Sequence, residues 1–163
     1  KALEGRQIGF IAKDALENVP YFGKWIKAIR GVFIKRGNTR EALKSIQAGV
    51  DTLKDGFSLV IFPEGTRSRG PRMAEFKAGS VKLATKAKVP IVPITINGSY
   101  DLFETRSIIT GGAVIDVVIH PAIDTASLDR HQIANITHEV DNTIRTTLTQ
   151  LIEKREAAAK EKE

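Results

Sequence analysis

Residues 62–70 read FPEGTRSRG, and this short stretch carries a carboxylate at Glu64, hydroxyls at Thr66 and Ser68, guanidinium groups at Arg67 and Arg69, and glycines at 65 and 70. An arginine presents a planar fork of donors that matches a phosphate in two-point contact. A glycine lets the backbone take positive φ and approach a ligand closely. Arg72 and Lys77 follow within a few residues and add to the positive charge. Together these groups describe a pocket for an anion. The plainer alternative is an exposed basic turn whose arginines are simply solvated, with Glu64 pairing Arg67 locally, and charge clustering alone leaves the two readings level.

The elements that would position these groups favour the pocket. SLVIF, residues 58–62, is bounded by Gly56 and Pro63 and is short enough for a fully buried strand. In open α/β sheets, ligand groups stand just beyond the carboxyl ends of such strands. Two further candidate strands end in the same way: VFIK, residues 32–35, runs into Arg36 and Gly37, and FIAK closes the strand at 8–12 on Lys13. One cation at a strand end is an ordinary surface cap; three of the same kind are harder to dismiss. A helix beginning near Ala78 would turn its free N–H groups towards the same space.

Short β-branched runs alternate with longer helical patterns, so the chain is expected to be a single α/β domain over residues 1–163, with a largely parallel central sheet flanked by helices. Further strands are predicted at 91–96 and 114–119, where Pro90 and Pro93 suit a strand's start or edge. A helix opens with Asn38 as cap and Glu41 completing a capping box, and it sets Leu43, Ile46, Val50 and Leu53 on one face before Gly56. It would join the strands at 32–35 and 58–62 by a right-handed crossover and leave them parallel and side by side. Other helices are expected at 14–30, broken at Pro20, at 78–87, and at 127–156, with Ile133, Ile136, Val140, Ile144, Leu148 and Leu151 along one face and residues 157–163 fraying.

Composition narrows the chemistry. With no cysteine the chain has no disulfide, thiolate metal site or cysteine nucleophile, which fits a reducing compartment. Its three histidines are scattered, so no metal is expected. No apolar run approaches the roughly 20 residues of a transmembrane helix. The net charge of +6 favours anionic partners. Basic residues are not interleaved with aromatic ones in the manner that stacks single-stranded bases, so nucleic acid is a minor reading.

FPEGTRSR, preceded by GVFIKR and followed by FKAG and VPIVPITI, resembles the glycerolipid acyltransferases over residues Phe10 to Ile96, with the motifs in the family's order. The resemblance implies a glycerol-3-phosphate acyltransferase-like fold and transfer of a fatty acyl group from acyl-CoA or acyl carrier protein, with no other cofactor. The acceptor would be 1-acyl-sn-glycerol 3-phosphate (lysophosphatidic acid), giving phosphatidic acid in phospholipid biosynthesis at the cytoplasmic face of a membrane. It also implies that Glu64 and Gly65 shape the catalytic pocket, that Thr66 and Arg67 meet the acceptor phosphate, that Lys13 and Arg36 are further phosphate ligands, and that Arg69 is a lesser one beside them. Lys35 departs from the family, where an acidic residue often precedes that arginine, and this leaves the acceptor head group open.

Family members take the hydroxyl proton with a histidine that an aspartate follows after four intervening residues, the aspartate fixing the imidazole tautomer. Here the fifth residue after His120 is Thr125, after His131 is Ile136, and after His138 is Thr143. The motif is therefore expected upstream of Lys1, and residues 1–163 alone are expected to be inactive. Asp124 follows His120 at the wrong spacing, and His120 reads as an ordinary residue closing a strand before Pro121. The alternatives are acylation of glycerol 3-phosphate or another lysolipid, and a non-catalytic module that binds anionic lipid head groups. Contact with the membrane would fall to the helix around Tyr21, Phe22, Trp25 and Ile26, of which Phe22 and Ile26 are expected in the core.

Overall fold

The computed structural model describes residues 5, 7–35, 39–77, 79–102 and 113–161. They fall into two compact units: Lys1–Pro63 with Gly79–Pro90 and Asp124–Ser127, and Glu64–Ala78 with Ile91–Ile123 and Leu128–Glu163.

The first unit holds a three-stranded parallel sheet of β1 (Ile8–Lys13), β2 (Val32–Ile34) and β3 (Ser58–Val60) in the order β2-β1-β3. The register sets Lys13 of β1 opposite Ile34 of β2, and Phe10 opposite Val60 of β3. The strands joined by the crossover helix are parallel, as expected, but they are not neighbours, because β1 lies between them. That helix, α2 (Thr39–Lys54), buries Val50 and half-buries Ile46 and Leu53. Leu43, assigned to the same face, is instead exposed. Asn38, the expected cap, lies outside the described residues, and Glu41 engages Lys35 at 3.5 Å and Lys44 at 3.0 Å.

Pro20 divides the 14–30 segment as expected. A 3-10 turn at Asp14–Leu16 precedes it, and α1 (Phe22–Ala28) follows. Ile26 is 2% exposed, but Phe22 is exposed and does not belong to the core. Helical geometry accounts for the difference: Gly23 and Ile26 share the inward face, and Phe22 sits at its outer edge with Trp25. The short α3 (Lys82–Ala87) begins four residues later than expected and buries Leu83 against α2, where a Cβ at Gly49 would come within 2.7 Å of the Leu83 side chain. Buried Thr125 donates to the Val89 carbonyl at 2.8 Å, which fixes the chain just after α3.

The second unit pairs β4 (Ile94–Asn97) with β5 (Asp116–Ile119) in antiparallel register, Ile94 opposite Ile119 and Asn97 opposite Asp116. The parallel sheet is thus confined to the first unit. Pro93 cannot donate to a ladder, so the strand expected from residue 91 starts at 94. Ile91 and Ile123 still exchange backbone bonds beyond it at 2.9 and 2.8 Å.

This pair of strands turns its more polar face inward. Thr95 and Asn97 are 0% and 2% exposed, whereas Ile96, Val117 and Ile119 are exposed. The inward face meets α4 (Arg130–Lys160), whose Ile136 and Val140 are buried. Burying a hydroxyl requires a partner, and Thr95 has His120 Nε2 at 2.8 Å and the Ile144 carbonyl at 3.5 Å. Asp129 and Gln132 form a reciprocal capping box that starts α4 at Arg130 rather than 127. At its other end α4 continues to Lys160, since Ala, Lys and Glu are good helix formers, so the tail expected to fray from 157 is helical for one more turn.

Candidate functional site

The stretch FPEGTRSRG leaves β3 and forms an irregular loop at the start of the second unit. Gly65 has φ +65°, the left-handed backbone that its lack of a side chain permits. Glu64 is half-buried, and its Oε2 accepts from the Ser68 hydroxyl at 2.9 Å and from the Ala74 N–H at 2.7 Å. One carboxylate oxygen therefore closes the segment from 64 to 74 into a single loop, through charge-assisted hydrogen bonds that are stronger than neutral ones. Within that closure Thr66, Arg67, Arg69 and Arg72 are exposed. The exposed guanidinium groups on this loop are donors of the kind that can hold a phosphate at the surface. Glu64 itself accepts two hydrogen bonds and is committed to shaping the loop.

The long helix contributes a cation that sequence reading overlooked. Arg145 of α4 is held by Asp141 through Nε at 3.1 Å and Nη2 at 3.0 Å, and its Nη1 reaches the Met73 carbonyl at 3.5 Å. Its pKa is raised above the ordinary arginine value, first by the hydrogen bond to Asp141 and then by the charge of that residue, with Glu64 and Glu75 adding to the field. The guanidinium thus packs against the same loop that Glu64 closes. The only signal in the sequence was the i, i+4 spacing of Asp141 and Arg145, which is common on exposed helices and points to no site.

Of the other expected ligands, Lys13 is exposed at the carboxyl end of β1, beside the carboxyl end of β2. Arg36 lies outside the described residues. Glu64, Gly65, Thr66, Arg67 and Arg69 share the loop of the second unit. Ala78 is also outside the described residues, and α3, with its first helical residue at Lys82, does not begin where a helix start was expected. His120 is structural, as its sequence context suggested: it bonds buried Thr95, and its N–H donates to the Pro93 carbonyl at 3.0 Å. Among the described residues no cluster of His, Asp and Glu has the arrangement of a metal site.

Comparison with known proteins identifies the lineage of this arrangement. Over 127 residues the chain is 31% identical to the 1-acyl-sn-glycerol-3-phosphate acyltransferase of Borreliella burgdorferi, a match that takes in 78% of this chain and 51% of that protein. It is 34% identical over 148 residues to the probable 1-acyl-sn-glycerol-3-phosphate acyltransferase of Mycoplasma pneumoniae, covering 86% of this chain and 55% of that one. The crystal structure of the 1-acyl-sn-glycerophosphate (LPA) acyltransferase PlsC from Thermotoga maritima superposes with a TM-score of 0.68 at 26% identity, over 89% of this chain and 57% of that one. The chain spans about half the length of the curated relatives it matches. The model of the family described as Acyltransferase matches residues 1–97, more than half of the sequence and inclusive of both the strand-end cations and the Glu64 loop, and the chain belongs to that family.

Proposed function

We propose that this protein carries out acyl transfer to 1-acyl-sn-glycerol 3-phosphate, taking a fatty acyl group from acyl-CoA or acyl carrier protein and making phosphatidic acid at the cytoplasmic face of a membrane. The observation that carries this reading is the loop closed by Glu64 in a chain whose relatives bear that acyltransferase name. In it, Glu64 and Gly65 hold the loop's shape, Thr66, Arg67 and Arg69 bind the acceptor phosphate, and Lys13 and Arg36 are further phosphate ligands. Charge-assisted hydrogen bonds to a phosphate contribute about 1.5–3 kcal/mol each, so a few such contacts suffice for micromolar to millimolar recognition of a lysolipid.

The chemical step needs a base for the acceptor hydroxyl, and none of the three histidines has an aspartate five residues on. The assay therefore uses the protein as the cell makes it. Lysophosphatidic acid, glycerol 3-phosphate and other lysolipids are offered with acyl-CoA and with acyl carrier protein thioesters. Turnover with lysophosphatidic acid as the preferred acceptor is expected. Absence of turnover with every donor, together with retained binding of anionic lipid head groups, would replace this reading with that of a lipid-binding module.

A further inference from the structure

Helix α1 carries an exposed aromatic surface that the reaction leaves unexplained. Tyr21 is 89% exposed and Trp25 50%, and Phe22, Val19 and Leu16 are exposed around them. Phe22 and Trp25 pack at 5.8 Å between ring centroids, and Trp25 in turn lies 6.2 Å from Phe10, so the cluster is held as a unit. Tyr21 has φ +62° and ψ −45°, a backbone that costs free energy for a residue with a Cβ. The N-cap of a helix is commonly a small polar residue, and here a large, solvent-exposed aromatic ring takes that place.

The charges around the cluster say what it meets. Residues 13–30 contain Lys13, Lys24, Lys27 and Arg30 against Asp14 and Glu17, and Lys27 already bridges Glu17 at 2.8 Å. Lys24 is exposed within α1 itself. Protein interfaces are enriched in tyrosine and tryptophan but depleted in lysine. The headgroup layer of an anionic bilayer accepts both kinds of group, since amphipathic rings settle there and each lysine is drawn to the surface charge.

We propose that α1 is a bilayer-docking face, with Tyr21, Phe22 and Trp25 entering the headgroup region of an anionic membrane and Lys24 meeting its phosphates. This deepens the reading of a lysophospholipid acyltransferase, whose acceptor resides in a membrane. Docking by α1 lies along the surface, since its seven residues are far too few to span a bilayer.

Trp25 is the only tryptophan of the chain, so its fluorescence reports this face and no other. Phosphatidylglycerol vesicles are expected to shift its emission to the blue, and brominated phosphatidylglycerol to quench it, with a far weaker response to phosphatidylcholine. Tyr21→Gly relieves the backbone strain while removing the ring; it should lower vesicle affinity by roughly tenfold without loss of thermal stability. Lys24→Glu should lower it roughly ten- to thirtyfold on phosphatidylglycerol and little on phosphatidylcholine.

Cosedimentation with unchanged Trp25 emission would overturn the proposal by assigning docking to another surface, and absence of any vesicle binding would overturn it outright. A blue shift that grows with protein concentration and needs no lipid would assign the face to a second copy of the chain. Acyl transfer to a detergent-dispersed acceptor needs no bilayer, so turnover there without vesicle binding would sink only the docking face. Vesicle binding through Trp25, without turnover by the protein as the cell makes it, would sink only the enzymatic reading.

Discussion

The Asp116 carboxylate accepts the Arg155 Nε–H at 2.7 Å, which fastens strand β5 to a side chain of α4 thirty-nine residues further on. The same guanidinium donates from Nη2 to the Val114 carbonyl, and Asn97 of β4 donates to the same Asp116 oxygen at 3.2 Å. A single arginine thereby clamps both strands of the antiparallel pair to the C-terminal part of the helix, and an open cavity of about 470 Å³ beside it is lined by Val114, Leu151, Lys154 and Ala158.

This clamp is a source of pH dependence. The Arg155 hydrogen bond, with a lesser contribution from Asn97, holds the Asp116 carboxyl below the ordinary aspartate value in spite of partial burial. A carboxyl whose folded pKa is depressed stabilises in full above its unfolded value of about 3.9, and that contribution is lost as the pH falls through the lower folded value. Arg155→Gln should therefore lower the urea midpoint at neutral pH, with the gap from wild type narrowing below about pH 4. A gap that stayed constant into strong acid would show that Arg155 acts through packing alone.

Gly98 has no room for a side chain. It has φ +86°, and a Cβ there would stand 2.5 Å from both Arg155 Nη1 and the Val114 carbonyl oxygen. The arginine can swing away but the carbonyl and the backbone angle cannot. Gly98→Ala is expected to cost about 1–3 kcal/mol, and the double variant with Arg155→Ala should recover little of it. Denaturant titration of the single and double variants decides the matter.

The bonds to Glu64 predict a difference between two substitutions. Glu64→Gln keeps an oxygen for Ser68 and Ala74, whereas Glu64→Ala strands both donors and frees the loop. Hydrogen bonds to a charged group contribute about 1.5–3 kcal/mol, so trypsin cleavage after Arg67, Arg69 or Arg72 should accelerate at least tenfold or so in Glu64→Ala. Equal cleavage rates in the two variants would remove Glu64 from its role as the loop's tie.

Acceptor recognition should follow charge. Arg67→Ala or Lys13→Ala is expected to weaken lysophosphatidic acid binding about ten- to a hundredfold, and Arg36→Ala should behave alike. Arg69→Ala should have a smaller effect. The fraction of turnover lost at saturating acceptor separates binding from chemistry, since loss of a phosphate ligand raises KM with little change in kcat. A set of variants with unaltered KM would mean that the arginines of this loop are solvated surface charges.

Much of the local structure around the candidate site was legible along the chain because its signals are local. A β-branched run, a glycine and cations at fixed offsets announce a strand end followed by an irregular basic loop, and the positive φ of Gly65 follows from its being the one residue type that takes that angle without strain. The helical period of α2 and α4 is likewise set by neighbours three or four residues away, whereas the Asp129–Gln132 capping box, equally local, was passed over and the helix start expected at 127.

Non-local choices were another matter. That β1 separates β2 from β3, that β4 and β5 pair with each other in antiparallel register, and that their Thr95 and Asn97 face inward while Ile96 and Val117 face out all depend on partners far along the chain. The exposure of Phe22 and the capture of Glu64 by Ala74 belong to the same class. Side-chain types and short spacings specify which angles and charges a segment offers, and these the sequence determined by itself. Which offers are taken up was decided only by the tertiary structure, since burial and strand pairing are settled by competition among all the segments at once.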